Sequence, residues 1–101
     1  MLAIFTVIPV SEGDSISPVV TKIAEEIDKS GLDYKLTAMG TIIEGDWDKV
    51  LAVVKKCHGI ALKNSKRVLT SMTIDDRKGA RKRLSGKVES VLAKTKRQIK
   101  T

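Results

Sequence analysis

The sequence predicts an α+β domain in which helices pack on one antiparallel sheet. Three observations carry this reading. Four segments show strand-like alternation or continuous apolar runs, three carry apolar residues at helical spacing, and turn-forming residues separate them in the order β-α-β-β-α-β-α. The 101 residues suit a single domain, residues 1–101, and 42% hydrophobic with 31% charged residues is an ordinary globular composition. The aromatic residues are Phe5, Tyr34 and Trp47, so the core must be assembled from Val, Ile, Leu and Ala.

Leu2 to Val10 reads as the first strand. Leu2, Ile4, Ile8 and Val10 share one parity and Ala3, Phe5 and Val7 the other, so both faces are expected to be buried. Pro9 should end its pairing, and SEGDSIS follows as a loop. Ser17 as N-cap and Pro18 at the first helical position start a helix reaching about Ser30, with Val20, Ile23, Ala24 and Ile27 as its stripe and Gly31 as its left-handed terminator. Tyr34–Met39 and Thr41–Glu44 are two strands of a hairpin, with Gly40 at or near the turn. Asp46 caps a second helix that runs to about Leu62 and lines up Trp47, Val50, Leu51, Val54, His58 and Ala61. Arg67–Ile74 is the fourth strand and DDRKG a charged turn. A third helix, about Ala80 to Ile99, carries Leu84, Val88, Val91, Leu92 and Ile99.

The first six elements form a split βαβ pair, so the expected architecture is a ferredoxin-like βαββαβ sandwich with an extra C-terminal helix. Both crossover helices then share one face of the sheet. The other face is left open, although the first strand is apolar on both sides. A second subunit is the expected cover, with the third helix assisting.

The net charge of +7 is unevenly distributed. Residues 78–101 hold nine basic residues against one acid, which leaves residues 1–77 at −1. The stretch RKGARKRL would contact phosphates in one reading and form a solvated helix face in the other. The strands offer only Phe5 and Tyr34 for base stacking and no RNP-type motif, so nucleic acid is the lesser reading. The lone Cys57 excludes an intrachain disulfide and points to a reduced, cytoplasmic setting. MLAIFTVIPV lacks a basic leader and a small-residue cleavage site, and about ten residues cannot span a bilayer.

Catalytic constellations are poorly represented. His58, the single histidine, falls on the apolar stripe of the second helix and reads as structural. Cys57 precedes it, but helical neighbours diverge by about 100°, so the two do not form a nucleophile–base pair. No phosphate-binding glycine loop is present, and neither a metal nor a cofactor is expected. Glu44 is the most informative acid: it follows Ile42 and Ile43 in a central strand, where an ionised carboxylate is costly unless paired. A salt bridge, a strand-end position reaching water and a ligand contact all remain open for it. Asp75-Asp76-Arg77 reads as a capped turn or a ligand site.

IPV at residues 8–10, Ser17 at the helix start, GLDY at 31–34, MGTIIEG at 39–45 and WDKV leading into KKCH together resemble the small thiamine-binding-protein family, conserved proteins long of unknown function. The resemblance implies a ferredoxin-like subunit that assembles through its sheet into homodimers and homotetramers. It also implies binding of thiamine or its hydroxymethylpyrimidine part without catalysis. Met39, Gly40, Thr41 and Glu44 match the family segment, and Ser17 and Tyr34 match its flanks. By this resemblance Glu44 would pair with a ring nitrogen or offset the thiazolium, Thr41 and Ser17 would supply hydroxyls, Tyr34 would stack on or edge the ring, and Met39 would line the slot. A nucleic-acid module built on the third helix, and a structural or regulatory oligomer without ligand, are the alternatives.

Overall fold

The computed structural model describes residues 1–10 and 17–101. Its elements are β1 (Leu2–Val10), α1 (Ser17–Lys29), β2 (Asp33–Thr37), β3 (Gly40–Glu44), α2 (Trp47–Asn64), β4 (Arg67–Asp75) and α3 (Arg83–Leu92). The strands lie in the order β2-β3-β1-β4, every neighbouring pair antiparallel. This is the ferredoxin-like plan, with α1 and α2 packed together on one face. The loop expected at SEGDSIS falls on residues 11–16, outside those described.

The covered face is built by one parity of each strand. Ala3 and Phe5 of β1 and Thr41 and Ile43 of β3 are buried against Ile23 and Ile27 of α1 and Val50, Val53, Val54, Cys57 and Ala61 of α2. Each large aliphatic side chain sealed here contributes roughly 1.5–3 kcal/mol. Gly31 ends α1 with φ +74°, as its lack of a side chain permits. Asp46 precedes α2 in extended conformation, its carbonyl accepting the first helical bond from Val50 at 3.0 Å while its side chain makes no cap.

Several expectations are corrected. Trp47 does not join the buried stripe: as the first residue of α2 it lies short of the core and is half exposed. Pro9 does not end the pairing of β1, which continues to Val10 opposite Arg67. The β3 pairing stops at Phe5, so among the described residues one edge of β1 has no partner strand around Pro9, where a missing N–H is tolerated. β1 is also not buried on both faces of this chain. Its second parity, Ile4, Ile8 and Val10, is exposed beside Leu69 of β4. β2 ends at Thr37 rather than Met39, because Ala38 and Met39 form the turn.

The third helix is half the expected length. Left-handed residues at Gly79 (φ +77°) and Lys82 (φ +53°) delay its start to Arg83, and it closes at Ala93. None of its residues is buried, and an isolated helix without packing is marginal in water. The radius of gyration, 15.3 Å, exceeds the roughly 13 Å of a compact chain this size, in keeping with a C-terminal segment that lies outside the core.

Candidate ligand-binding site

Antiparallel register decides which residues share a face. Asp33, Glu44, Leu2 and Asp75 oppose one another in a row across all four strands, at one end of the open face. The N-terminus of α3 docks there. The Glu44 carboxylate accepts the backbone N–H groups of Arg83 at 2.7 Å and Leu84 at 3.1 Å. It therefore caps a helix distant in sequence, satisfying two amides that lack partners within α3. Asp75 completes the anchorage: its oxygens lie 2.8 Å from Arg83 Nη1 and 2.8 Å from Lys87 Nζ. The Arg83 guanidinium, then the Lys87 ammonium, hold the Asp75 carboxyl well below the usual carboxylate range.

A second concavity lies toward the opposite end of the sheet. It measures about 360 Å³ and opens between α1 and the β2–β3 turn. Its walls are Phe5, Val7 and Ile8 of β1, Val20, Ile23, Ala24 and Ile27 of α1, and Leu36 to Thr41 of the hairpin. Among the described residues no charged side chain lines it, and its side-chain polar groups are the hydroxyls of Thr6, Thr37 and Thr41. Both the size and the apolar character are those of a small-molecule pocket.

The cavity exists because the hairpin stops while β1 continues. Thr37 and Gly40 close the two-residue turn, the Thr37 hydroxyl donating to the Gly40 carbonyl at 2.6 Å and accepting from the Met39 N–H at 3.3 Å. Gly40 carries the conformational load at φ +154°. A Cβ there would meet Thr6 Cγ2 at 3.0 Å and the Phe5 carbonyl oxygen at 3.1 Å, so only glycine lets β3 close on β1 at this point.

The expected site residues divide between these places. Met39, Gly40 and Thr41 line the cavity together, Thr41 buried and Met39 83% exposed at its mouth. Glu44 does not line it; its carboxylate is engaged by α3 on the other face of the sheet, the paired strand-end position that the sequence left open. Tyr34 lies outside the cavity and donates its hydroxyl to Asp28 at 2.8 Å, a bond that raises the phenol's pKa. Ser17 is the first residue of α1, and its side chain lies outside the described structure. Val20, Leu36 and Ile8 were read from the sequence as stripe or strand residues, not as site residues. Their apolar pattern is visible in the sequence, but the recess they form where β1 runs on past the hairpin turn is not.

The nucleophile and base candidates are occupied elsewhere. Cys57 is fully buried, and burial pushes its thiol up to about 11. His58 is half-buried, its Nδ1 2.6 Å from the Thr70 hydroxyl.

A four-stranded antiparallel sheet, two crossover helices and a cavity beside the hairpin turn, with no charged side chain among its described lining residues, define a small ferredoxin-like domain with an apolar recess at its rim. The chain belongs to the thiamine-binding protein family, whose model matches residues 3–92. It is 34% identical over 91 residues to a UPF0045 protein of Methanocaldococcus jannaschii, covering 90% of this chain and 91% of that one. A UPF0045 protein of Methanothermobacter thermautotrophicus is 39% identical over 92 residues, covering 88% and 93%. The crystal structure of the M. jannaschii hypothetical protein superposes with a TM-score of 0.81 at 34% identity, covering 89% of this chain and 93% of that chain. A Thermotoga maritima protein named for thiamine biosynthesis or salvage shares the fold, with a TM-score of 0.77 at 22% identity over 89% and 96% of the two chains.

Proposed function

We propose that this protein binds thiamine, or its hydroxymethylpyrimidine part, in the cavity between α1 and the β2–β3 turn, without catalysing a reaction on it. The observation that carries the reading is that Met39, Gly40 and Thr41, within the segment that most resembles the family, form one wall of a recess of about 360 Å³ that no charged side chain lines among the described residues. The family name and the T. maritima relative's name support the ligand class. A flat aminopyrimidine suits apolar walls, and the hydroxyls of Thr41 and Thr6 offer it donors and acceptors. Glu44 acts here as the anchor of α3, not as a ligand contact.

The working form is a homo-oligomer, a dimer or tetramer, in the cytoplasm. Ile4, Ile8, Val10 and Leu69 form an apolar surface on the open face that α3 leaves uncovered, and burial by a second copy would remove it from water. Light scattering is expected to give at least twice the mass of one chain; a monomer at assay concentration contradicts this part of the reading.

Calorimetric titration tests the ligand. Thiamine and hydroxymethylpyrimidine are each titrated into folded protein and into Thr41→Val, which keeps the shape and removes a hydroxyl. Saturable heat is expected with the native chain and roughly tenfold weaker binding with the variant, the loss of one buried hydrogen bond. No heat with either compound at millimolar concentration contradicts the proposal.

A further inference from the structure

The turn before α3 and the helix's first two turns make a second concave surface, quite unlike the cavity. It is a trough of about 690 Å³ whose lining includes Arg77, Lys78, Arg81, Lys82, Arg83 and Lys87, with no carboxylate among its residues. Asp75 takes up Arg83 and Lys87. Arg77, Lys78, Arg81 and Lys82 are exposed and make no side-chain ion pair or hydrogen bond among the described residues. Positive φ at Gly79 and Lys82 shapes this turn and gathers the four cations onto one short stretch of chain. Beyond them the basic residues continue through Lys94, Lys96, Arg97 and Lys100, all exposed, so residues 77–101 carry +9 while residues 1–76 carry −2.

We infer that this trough binds the phosphate backbone of nucleic acid, without reading its sequence. A row of unspent cations that extends past a single concavity matches a repeating polyanion better than one isolated phosphate. The trough is concave and its only apolar side chain is Ala80, so it has nothing to insert into a bilayer. The α3 amides play no part, because Glu44 already occupies those of Arg83 and Leu84. Base stacking plays no part in the trough either: Phe5 is buried, Tyr34 is bonded to Asp28, and the half-exposed Trp47 is not among the residues that line it. Asp33, Glu44 and Asp46 share the adjoining concavity with Arg81 and Lys82 and bound the basic track on that side. This surface lies apart from the hairpin cavity and functions whether or not thiamine binds there.

Fluorescence anisotropy of two labelled single-stranded oligonucleotides of unrelated sequence tests the inference with the full chain. Both are expected to bind equally, with a log–log salt slope of roughly −3 if four phosphates are neutralised, which means roughly fiftyfold weaker binding at 200 mM than at 50 mM salt. The double substitution Arg77→Ser with Lys78→Ser should halve the slope, and Lys49→Ser on α2 should leave it unchanged. The substituted side chains are exposed, and circular dichroism verifies that each variant keeps its fold. No binding at 50 mM salt up to about 100 µM protein overturns the inference. So does a slope equal in native and doubly substituted chains, or binding to phosphatidylserine vesicles without binding to either oligonucleotide.

Discussion

The two faces of the sheet are made from the same strands and held by different forces. On the covered face, Phe5 and Ile43 interlock with α1 and α2, and the contact is mainly apolar, with Thr41 and the His58–Thr70 pair as its polar members. On the open face, α3 is held at one end by the carboxylates of Glu44 and Asp75, and most of its surface stays in water. Apolar burial is non-directional and grows with area, so it builds the body of the domain. Capping bonds and exposed ion pairs are directional and individually modest, so they can orient a peripheral helix without stabilising it strongly. The covered face should therefore set global stability, and the open face should set the position of α3.

The sharpest way to break this contrast is a pair of truncations on one strand. Phe5→Ala should lower unfolding free energy by about 3–5 kcal/mol in urea denaturation, while Ile8→Ala on the open face should change it by only about 0.5 kcal/mol in the monomer. Comparable losses at both positions would mean that the open face is sealed within the folding unit. Next in size is Gly40→Ala, which forces a side chain into φ +154° and against β1. A cost of about 1–3 kcal/mol is expected in the same measurement, together with a disturbed cavity wall.

Smaller and more local is Glu44→Ala. It should cost about 0.5–2 kcal/mol, seen as faster hydrogen exchange at the Arg83 and Leu84 amides with the core unaffected. The smallest effect is that of acid on α3. The folded-state pKa of Asp75 is depressed, so its contribution is present above the ordinary carboxyl value near 3.9 and is lost as pH falls below it. Amide chemical shifts of Arg83 to Lys87 should move as the pH drops through this window, while those of α2 stay in place.

Much of the covered face was legible in the chain. Ile23 and Ile27 of α1, Val50, Val54 and Ala61 of α2, the terminating Gly31 and the β2–β3 hairpin follow from periodicity and turn chemistry, whereas Val20 of the expected stripe is exposed and the buried Val53 and Cys57 lay outside it. The open face was less legible for a physical reason. Apolar alternation in β1 marks Ile4 and Ile8 as residues that would gain from leaving water, but both are exposed in this chain, and the alternation does not name what would cover them. The sequence suggests a longer α3 because Val88, Val91 and Ile99 continue a helical pattern, but all three are exposed and no partner among the described residues rewards it. Trp47 illustrates the converse: it has the right spacing but stands one turn too early to reach the core.

The candidate site was legible as a segment and not as a shape. MGT at 39–41 lies in the cavity wall, whereas Glu44, singled out as an acid after two isoleucines and matched by the family segment, lies three residues further along β3 and outside that wall. Strand parity and register separate them. Thr41 faces the helices, and Glu44 faces the opposite way in the row with Leu2 and Asp75.

That separation supplies the most direct test of the central claim, calorimetric titration of thiamine into the native chain, Leu36→Lys and Glu44→Gln. Leu36 lies at the cavity rim, where a lysine adds charge and bulk at little cost to folding. Saturable binding is predicted for the native chain and for Glu44→Gln, with loss of binding in Leu36→Lys. Binding that survives in Leu36→Lys but disappears in Glu44→Gln would place the ligand on the other face of the sheet and contradict the account.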